Sequence, residues 1–255
     1  MPRSLSILLL AAITVAVQTP SVRAEHLSII GGEIPFVFHS RKPGPHNVFY
    51  DTVLKDVAGA HDIKYLPYKR ALRDFNAGSA DCLYVATANT IDYPNQAIAK
   101  GNIIFSEPIN WIHLRAYTRH GTPPISALKD FEGKVAAGSK SLLATLQKVL
   151  APKTQVALIP TIDHLKAFDL LAEDRVEVVI AFGLDANEAE LQTGRGPFTF
   201  DEKLILDTRH EVVACWKTID TLSFLAKLDS TIIDLEKQNR LAKIFSGKGL
   251  RPAKN

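Results

Sequence analysis

The feature that most constrains the fold is a regular alternation of short apolar runs with segments of helical periodicity. The first round predicts strands at 27–30, 61–66 and 82–85, separated by helices at 47–59 and 68–77. Connections this short between strands and helices are typical of a parallel sheet covered by helices.

A second round of the same alternation follows. It predicts strands at 133–137, 155–159, 176–182 and 211–216, and helices at 139–150, 162–172, 185–192, 222–228 and 231–245. Two such rounds indicate two lobes of an α/β protein, with the chain crossing between them twice. Because no longer period repeats along the chain, a solenoid is not expected.

The first 24 residues predict a signal peptide. Arg3 precedes an apolar stretch over 5–17, Thr19-Pro20 interrupts it, and Val22-Arg23-Ala24 has the small residues of a cleavage site. A membrane anchor is the alternative, but it needs ~20 apolar residues. We therefore expect export, with cleavage near Ala24.

Charge and motifs exclude several classes of function. Removing residues 1–24 removes Arg3 and Arg23 and no acidic residue, so 28 basic residues face 27 acidic ones. A nearly neutral chain has no charge excess for nucleic acid or an anionic membrane. The histidines lack metal-ligand spacing, and phosphate-binding glycine loops and nucleophile motifs are absent. We expect no metal and no cofactor.

The two cysteines, Cys82 and Cys215, leave two alternatives open. An oxidising compartment permits a disulfide between them, whereas cysteines on apolar segments also occur as buried thiols.

Candidate ligand-binding residues follow from the predicted strand ends, because ligands of open parallel sheets collect beyond the carboxyl ends of the strands. Asn89 and Thr90 follow one such end, although both side chains also bond readily to their own turn. Gly138 and Ser139 open a helix, where free N–H groups and the hydroxyl suit an anion or a carbonyl, or simply cap the helix.

Other candidates have structural alternatives of their own. Tyr68, Lys69 and Arg70 begin a helix, and a basic pair there opposes the helix dipole, which suggests a use for Arg70 other than a solvated surface. Asp185 is either a ligand contact or a helix cap. The remaining candidates are either cleft walls or packing residues: Glu33, Phe36, Tyr93, Trp111 and Phe182.

Several stretches, in this order, resemble the family 3 group of type II periplasmic solute-binding proteins, the amino-acid receptors. The stretches are IIGGEIPFVF, YDTVLKDVA, ALRDFNAGSADCLYVATANT, IIFSEPI and LKDFEGKVAAGS, and the resemblance covers nearly all of 27–250. It implies an α/β, two-lobed fold of mostly parallel sheets flanked by helices, with a ligand cleft between the lobes. Lobe 1 would comprise 25–112 plus 210–255, and lobe 2 would comprise 113–209.

Two departures from this family bear on the ligand. The family's arginine, three residues after the threonine that matches Thr90, is replaced by Tyr93, and the aspartate that ends a strand of the second lobe is replaced by Phe182. These charges clamp the carboxylate and ammonium groups of an α-amino acid in the family. We therefore expect a ligand with an aromatic or uncharged polar body, whose one anionic group would meet Arg70 or Ser139.

The resemblance implies a monomeric periplasmic binding protein that closes over a small solute and delivers it to an ABC-type permease. One alternative is a sensory module for a membrane receptor. Another is a dehydratase-like enzyme on the same fold, in which Glu33 or Asp185 would be the general acid or base. Neither residue lies in a catalytic motif, so we expect no enzymatic activity.

Overall fold

A computed structural model describes residues 26–59, 63–88, 100–150 and 152–245. The predicted signal peptide and the candidate residues Asn89, Thr90 and Tyr93 lie outside these ranges. Within them, no helix combines the length and the apolar character needed to cross a membrane.

Nine strands are described, and they belong to one sheet. Their bounds are β1 Ile29–Glu33, β2 Ile63–Pro67, β3 Cys82–Thr87, β4 Ile103–Phe105, β5 Asn110–Tyr117, β6 Val135–Ser139, β7 Ala157–Thr161, β8 Val178–Phe182 and β9 Asp207–Trp216.

The helices lie between and after these strands along the chain. They are α1 Pro45–Phe49, a π-helical turn Tyr50–Leu54, α2 Lys55–Ala58, α3 Tyr68–Asn76, 3-10 turns Leu128–Phe131 and Lys140–Leu142, α4 Leu143–Leu150, α5 His164–Ala172, α6 Gly183–Thr193, α7 Ile219–Lys237 and α8 Arg240–Ile244.

The strand order is β2-β1-β3-β9-β5-β8-β6-β7, with β4 also paired to β9. We call the group β1 to β4 the first lobe and the group β6 to β8 the second lobe. Strands β1, β2 and β3 run parallel to one another, as do β6, β7 and β8. Strands β5 and β9 run antiparallel to each other and join the two groups.

The two joining strands meet over Asn110–Leu114 of β5 and Asp207–Glu211 of β9, which we call the strand junction. At one end of the junction, Thr87 of β3 pairs with Glu211. At the other end, Phe182 of β8 pairs with Leu114. The carboxyl ends of the parallel strands of both lobes therefore approach the junction from opposite sides.

A disulfide between Cys82 and Cys215 ties β3 to β9, with the Cα atoms 4.1 Å apart. Both cysteines are completely buried. The sequence alone left buried thiols as the alternative, and the register of the two strands decides for the disulfide because it places these residues opposite each other.

The structure differs from the sequence-based expectation at strands β4 and β5 and at the C-terminal helices, and β4 was not predicted. Strand β5 was not predicted, because Asn110, His113 and Arg115 interrupt its apolar residues although all three are buried. The break expected between the helices at 222–228 and 231–245 is displaced, because α7 continues through Asp229 to Lys237 and α8 follows it. The carboxylate of Asp229 accepts a hydrogen bond from the backbone N–H of Glu107 at 2.7 Å.

Candidate functional site

The candidate site is the strand junction together with the strand ends that face it. Parallel strands leave their last residues, and the loops that follow, at one edge of a sheet. Here two such edges face a common segment, so side chains of both lobes and of β5 and β9 meet in one region.

Glu33, at the end of β1, is held within the first lobe. Its Oε1 accepts hydrogen bonds from the hydroxyl of Ser40 at 2.5 Å and from the Ser40 backbone N–H at 3.0 Å. These bonds, together with the nearby charges of His39 and Arg41, lower the pKa of Glu33. The carboxylate therefore stays ionised and is an acceptor rather than an acid.

Phe36 lies in the loop after β1 and adopts a left-handed backbone conformation with φ 58°. The ammonium group of Lys42 lies 5.5 Å from the centre of its ring. The Phe36 ring is half-buried, which is compatible with both expected roles, a wall of the cleft and a packing residue.

Tyr68 and Arg70 begin α3, next to the end of β1. A Cβ atom at Gly32 would lie 2.7 Å from Cδ2 of Tyr68, so the glycine makes room for this ring against β1. The Arg70 side chain is 58% exposed, and its Nε lies 3.7 Å from Asp74 Oδ2. The structure thus places Arg70 on the surface of the first lobe with a carboxylate partner of its own.

Gly138 and Ser139 end β6 in the second lobe. A Cβ atom at Gly138 would lie 2.9 Å from Cδ1 of Leu146, so the strand and α4 are packed closely there. The Ser139 hydroxyl lies 2.7 Å from the Ser141 hydroxyl. The backbone oxygen of Gly138 accepts a hydrogen bond from the hydroxyl of Thr161, which ends the neighbouring strand, at 3.0 Å.

Asp185 belongs to a polar cluster beyond the end of β8, with His164 and Glu188. Asp185 Oδ2 accepts the Phe182 backbone N–H at 3.2 Å, so Asp185 caps α6. His164 Nε2 lies 3.0 Å from Glu188, and its Nδ1 lies 3.6 Å from Asp185. Sequence reasoning missed His164 and Glu188, since no spacing in the chain links them.

In this cluster, burial and the opposite charge of a neighbouring side chain shift the pKa values of Asp185 and His164 in opposite directions. Burial raises the pKa of Asp185, and His164 offsets this only in part. Burial alone would lower the pKa of His164, but its hydrogen bond to Glu188 and the surrounding carboxylates outweigh burial and raise it. The imidazolium form is therefore favoured.

One face of the junction carries aromatic rings. The rings of Trp111 and His210, which are opposite each other on β5 and β9, have centroids 3.8 Å apart. Next to them, His113 Nδ1 lies 2.9 Å from the hydroxyl of Thr208. Burial lowers the pKa of both histidines, so both rings favour the neutral form.

The other face carries Arg209, which sequence reasoning also missed. Its Nη2 donates to the hydroxyl of Thr145 on α4 at 3.0 Å, and its Nε donates to Asp207 at 3.3 Å. The guanidinium lies 5.0 Å from the centre of the Phe182 ring. A single basic residue just before the predicted strand at 211–216 belongs to no recognisable sequence pattern. Only the pairing of β5 with β9 shows that Arg209 lies in the junction.

Beside Arg209, a buried polar group closes the first-lobe end of the junction. Glu211 Oε2 lies 2.8 Å from His46 Nε2 and accepts a hydrogen bond from Asn110 Nδ2 at 2.8 Å. His46 Nδ1 lies 3.0 Å from the Tyr84 hydroxyl. Burial and, next, the charge of Glu211 raise the pKa of Tyr84 far above its usual range. All four side chains are buried.

The structure therefore divides the described candidates into three places. Glu33, Phe36 and Tyr68 lie at the first-lobe strand ends, with Arg70 on the nearby surface. Trp111 lies in the junction. Gly138, Ser139, Phe182 and Asp185 lie at the second-lobe strand ends. Within the described ranges, no group of three or more histidine, cysteine, aspartate or glutamate side chains is placed to hold a metal ion.

Comparison with known proteins gives matches among solved structures only. No protein-family model matches the chain, and no curated protein matches it. The similar structures include the GluR0 ligand-binding core from Nostoc punctiforme in complex with L-glutamate, with a TM-score of 0.61 and 15% identity over 86% of this chain and 97% of that one.

Two further structures give the same result. The periplasmic VFT2 domain of Bordetella pertussis BvgS has a TM-score of 0.62 and 15% identity, covering 85% of this chain and 91% of that domain. An ancestral arginine-binding protein bound to arginine has a TM-score of 0.59 and 18% identity, covering 86% and 96%. At these identities the likeness is one of fold, and the expected two-lobed α/β fold flanked by helices is confirmed. The strands of the two lobes form one mixed sheet.

Proposed function

We propose that this protein, which has the two-lobed fold of type II periplasmic binding proteins, captures a small organic solute by closing its lobes over the strand junction. The observation that carries the proposal is that the carboxyl ends of both groups of parallel strands face one junction lined with polar and aromatic side chains. In open parallel sheets such edges are where ligands collect.

The hinge of this motion lies in β5 and β9. In the proposed division, lobe 1 comprises 25–112 with 210–255 and lobe 2 comprises 113–209, so the chain crosses twice within the junction. A strand pair can bend by small backbone changes while its hydrogen bonds persist, and closure of this kind assembles a site from two half-sites. Each lobe then contributes its own strand-end residues to the bound ligand.

The ligand is a small solute other than an ordinary α-amino acid. Phe182, at the end of β8, is 9% exposed and lies under the guanidinium of Arg209. An aromatic residue there offers no charge to an ammonium group. Trp111 and His210 add a ring surface on the other face of the junction, which suits an aromatic or uncharged polar body.

The test is a thermal-shift screen of residues 25–255 against amino acids, organic acids, sugars, polyamines and small aromatic compounds. A ligand at ~100 times its Kd should stabilise the protein by ~2.7 kcal/mol. Small-angle scattering should then show a smaller radius of gyration with the same ligand. Stabilisation without any compaction would argue against hinge closure, and binding of ordinary amino acids alone would contradict the ligand class.

Two settings remain for a protein of this kind, namely delivery of the solute to an ABC-type importer and signalling through a membrane receptor. The likeness to the BvgS VFT2 domain and to a histidine kinase sensor domain supports signalling as an alternative to delivery. Co-purification of the ligand-bound protein with a permease would support delivery, whereas co-purification with a sensor kinase would support signalling.

In this proposal the protein binds its ligand and catalyses no reaction of it. Glu33 is an ionised acceptor held by Ser40, and Asp185 caps α6, so both have structural roles. Recovery of unchanged ligand after long incubation should confirm binding alone, and any turnover that Asp185→Asn abolishes would instead support the dehydratase-like alternative.

A further inference from the structure

The guanidinium of Arg209 occupies a special place in the strand junction. Arg209 pairs with Ile112 in the middle of the junction, so neither lobe's strand end is far from it. Its side chain is 16% exposed, which makes it a partly buried cation with limited access to water.

Three contacts fix the orientation of this guanidinium. Asp207, on the same strand, accepts from Nε, and Thr145 of the second lobe accepts from Nη2. The guanidinium carbon lies over the Phe182 ring, 5.0 Å from its centre. A planar fork held in this way loses little conformational entropy when it binds a second partner.

These contacts use only some of the N–H donors of the Arg209 guanidinium. Of the five N–H groups of a guanidinium, the structure assigns Nε–H to Asp207 and one Nη2–H to Thr145. Neither Nη1–H nor the second Nη2–H has a partner among the described residues. Arg209 has no nitrogen among the described buried polar atoms that lack a partner, so these N–H groups are accessible to a partner that accepts two hydrogen bonds at once.

The other arginines near the described cleft are less suited to such a partner. Arg115 is buried, and its Nη1 donates to the backbone oxygens of Asp201 and Glu202. Arg70 is mostly exposed and lies beside Asp74. A surface arginine in water gains little from a new ion pair, whereas a preoriented and partly desolvated one gains more.

We propose that Arg209 is the residue that binds a carboxylate of the ligand, by a two-point contact through Nη1 and Nη2. This inference rests on the proposed solute-binding function and names the ligand class as small carboxylic acids. Asp207 holds the opposite edge of the guanidinium and does not compete for these donors. The Phe182 ring supports the guanidinium and borders the body of the ligand.

The experiment compares carboxylates with their amides, which have similar shape but no charge. The probe pairs are benzoate with benzamide and succinate with succinamide. Thermal shift and calorimetry are measured on residues 25–255 and on the variants Arg209→Gln, Arg209→Lys, Arg70→Gln and Arg119→Gln. Arg119 is a matched control, because it also pairs with one aspartate, Asp174, at 2.8 Å, but follows the far end of β5.

We expect at least one carboxylate to bind the wild type more tightly than its amide. Arg209→Gln should weaken that binding about 10- to 100-fold, since hydrogen bonds to charged groups contribute ~1.5–3 kcal/mol. Arg209→Lys should recover part of the affinity, because it keeps the charge but not the fork. Arg119→Gln should bind as the wild type does, and matching unliganded Tm values would exclude misfolding as the cause.

Four results would overturn the inference. If neutral probes bind and carboxylates do not, the solute-binding function stands and the role of Arg209 falls. The same holds if a carboxylate binds equally well to Arg209→Gln, or if Arg70→Gln alone abolishes its binding. If neither these probes nor any compound in the wider screen binds, the proposed function falls and this inference falls with it.

Discussion

The two halves of β9 differ sharply, although one continuous strand contains both. From Glu211 to Cys215 every side chain is buried, whereas Asp207, Thr208, Arg209 and His210 are all half-buried. The buried half pairs with β3 and β4, and the half-buried half pairs with β5. The difference follows the junction, since the strand is part of the first lobe's core on one side of Glu211 and lies between the lobes on the other.

We call the buried half of β9, from Glu211 to Cys215, the anchor. The Cys82–Cys215 disulfide and the His46–Glu211–Asn110 group connect it to three other elements of the first lobe and of the junction. The half-buried half pairs with β5 along the backbone, and its side chains add single contacts, between His113 and Thr208 and from Arg209 to Thr145. One strand thus combines a fixed end with an end that can adjust to a ligand, and the following variants test that division.

The largest effect is expected at Glu211. Glu211→Ala leaves His46 and Asn110 buried without their shared acceptor, and two buried groups left unsatisfied at about 1–3 kcal/mol each cost about 2–6 kcal/mol together. Denaturant unfolding measures the loss. Glu202→Ala is the control, because its side chain is exposed. A loss below about 1 kcal/mol would mean that this half of β9 does not depend on the polar group.

The disulfide should have a comparable or slightly smaller effect. The cysteines are 133 residues apart in sequence, so the bond closes a long loop in the unfolded chain. Replacing both by alanine should lower the unfolding free energy by about 2–5 kcal/mol. Ligand affinity at a temperature where the variant is folded should stay near the wild-type value, and a large change would show that the anchor also shapes the site.

The same division explains what the sequence could and could not predict. The alternation of apolar runs predicted the parallel strands because their burial on both faces leaves a continuous signal. Strand β5 gave no such signal, since its Asn110, His113 and Arg115 are compatible with burial only through partners far away in the chain.

The site was harder to predict for the same reason. Phe182, Ser139 and Asp185 could be placed because they end or follow strands that the pattern predicts. Arg209 and His164 gain their surroundings from register and from helix packing, which act between distant segments. The fold class was therefore accessible from the sequence, whereas the polar contacts of the junction needed the structure.

In the half-buried half of β9, Thr208→Val should have a smaller effect on stability. The variant removes the partner of His113 Nδ1, and His113 Nε2 already has no partner among the described residues. Loss of one such hydrogen bond costs about 1–2 kcal/mol. Thr231→Val, which removes a hydroxyl bond to the Lys227 backbone oxygen on α7, is the matched control. Equal losses in both variants would remove any special role of the junction.

The smallest effect concerns pH and separates His210 on β9 from His164 in the second lobe. Burial lowers the pKa of His210 below its ordinary value of 6.5. Near and below pH 6.5 the unfolded chain therefore binds more protons than the folded one, and the contribution of His210 to stability falls as the pH falls towards the lowered pKa. His113 acts in the same direction, because its pKa is also lowered.

His164 has the opposite sign. Its raised pKa means that its contribution to stability is complete below pH 6.5 and is lost as the pH rises through the folded-state value. Unfolding free energies between about pH 5 and pH 8 should show this when His210→Gln and His164→Gln are each subtracted from the wild type. The wild-type advantage over His210→Gln should grow with pH, and the advantage over His164→Gln should shrink. Two slopes of the same sign would mean that the cluster around His164 does not favour its charged form, and the second lobe would then resemble the junction in its electrostatics.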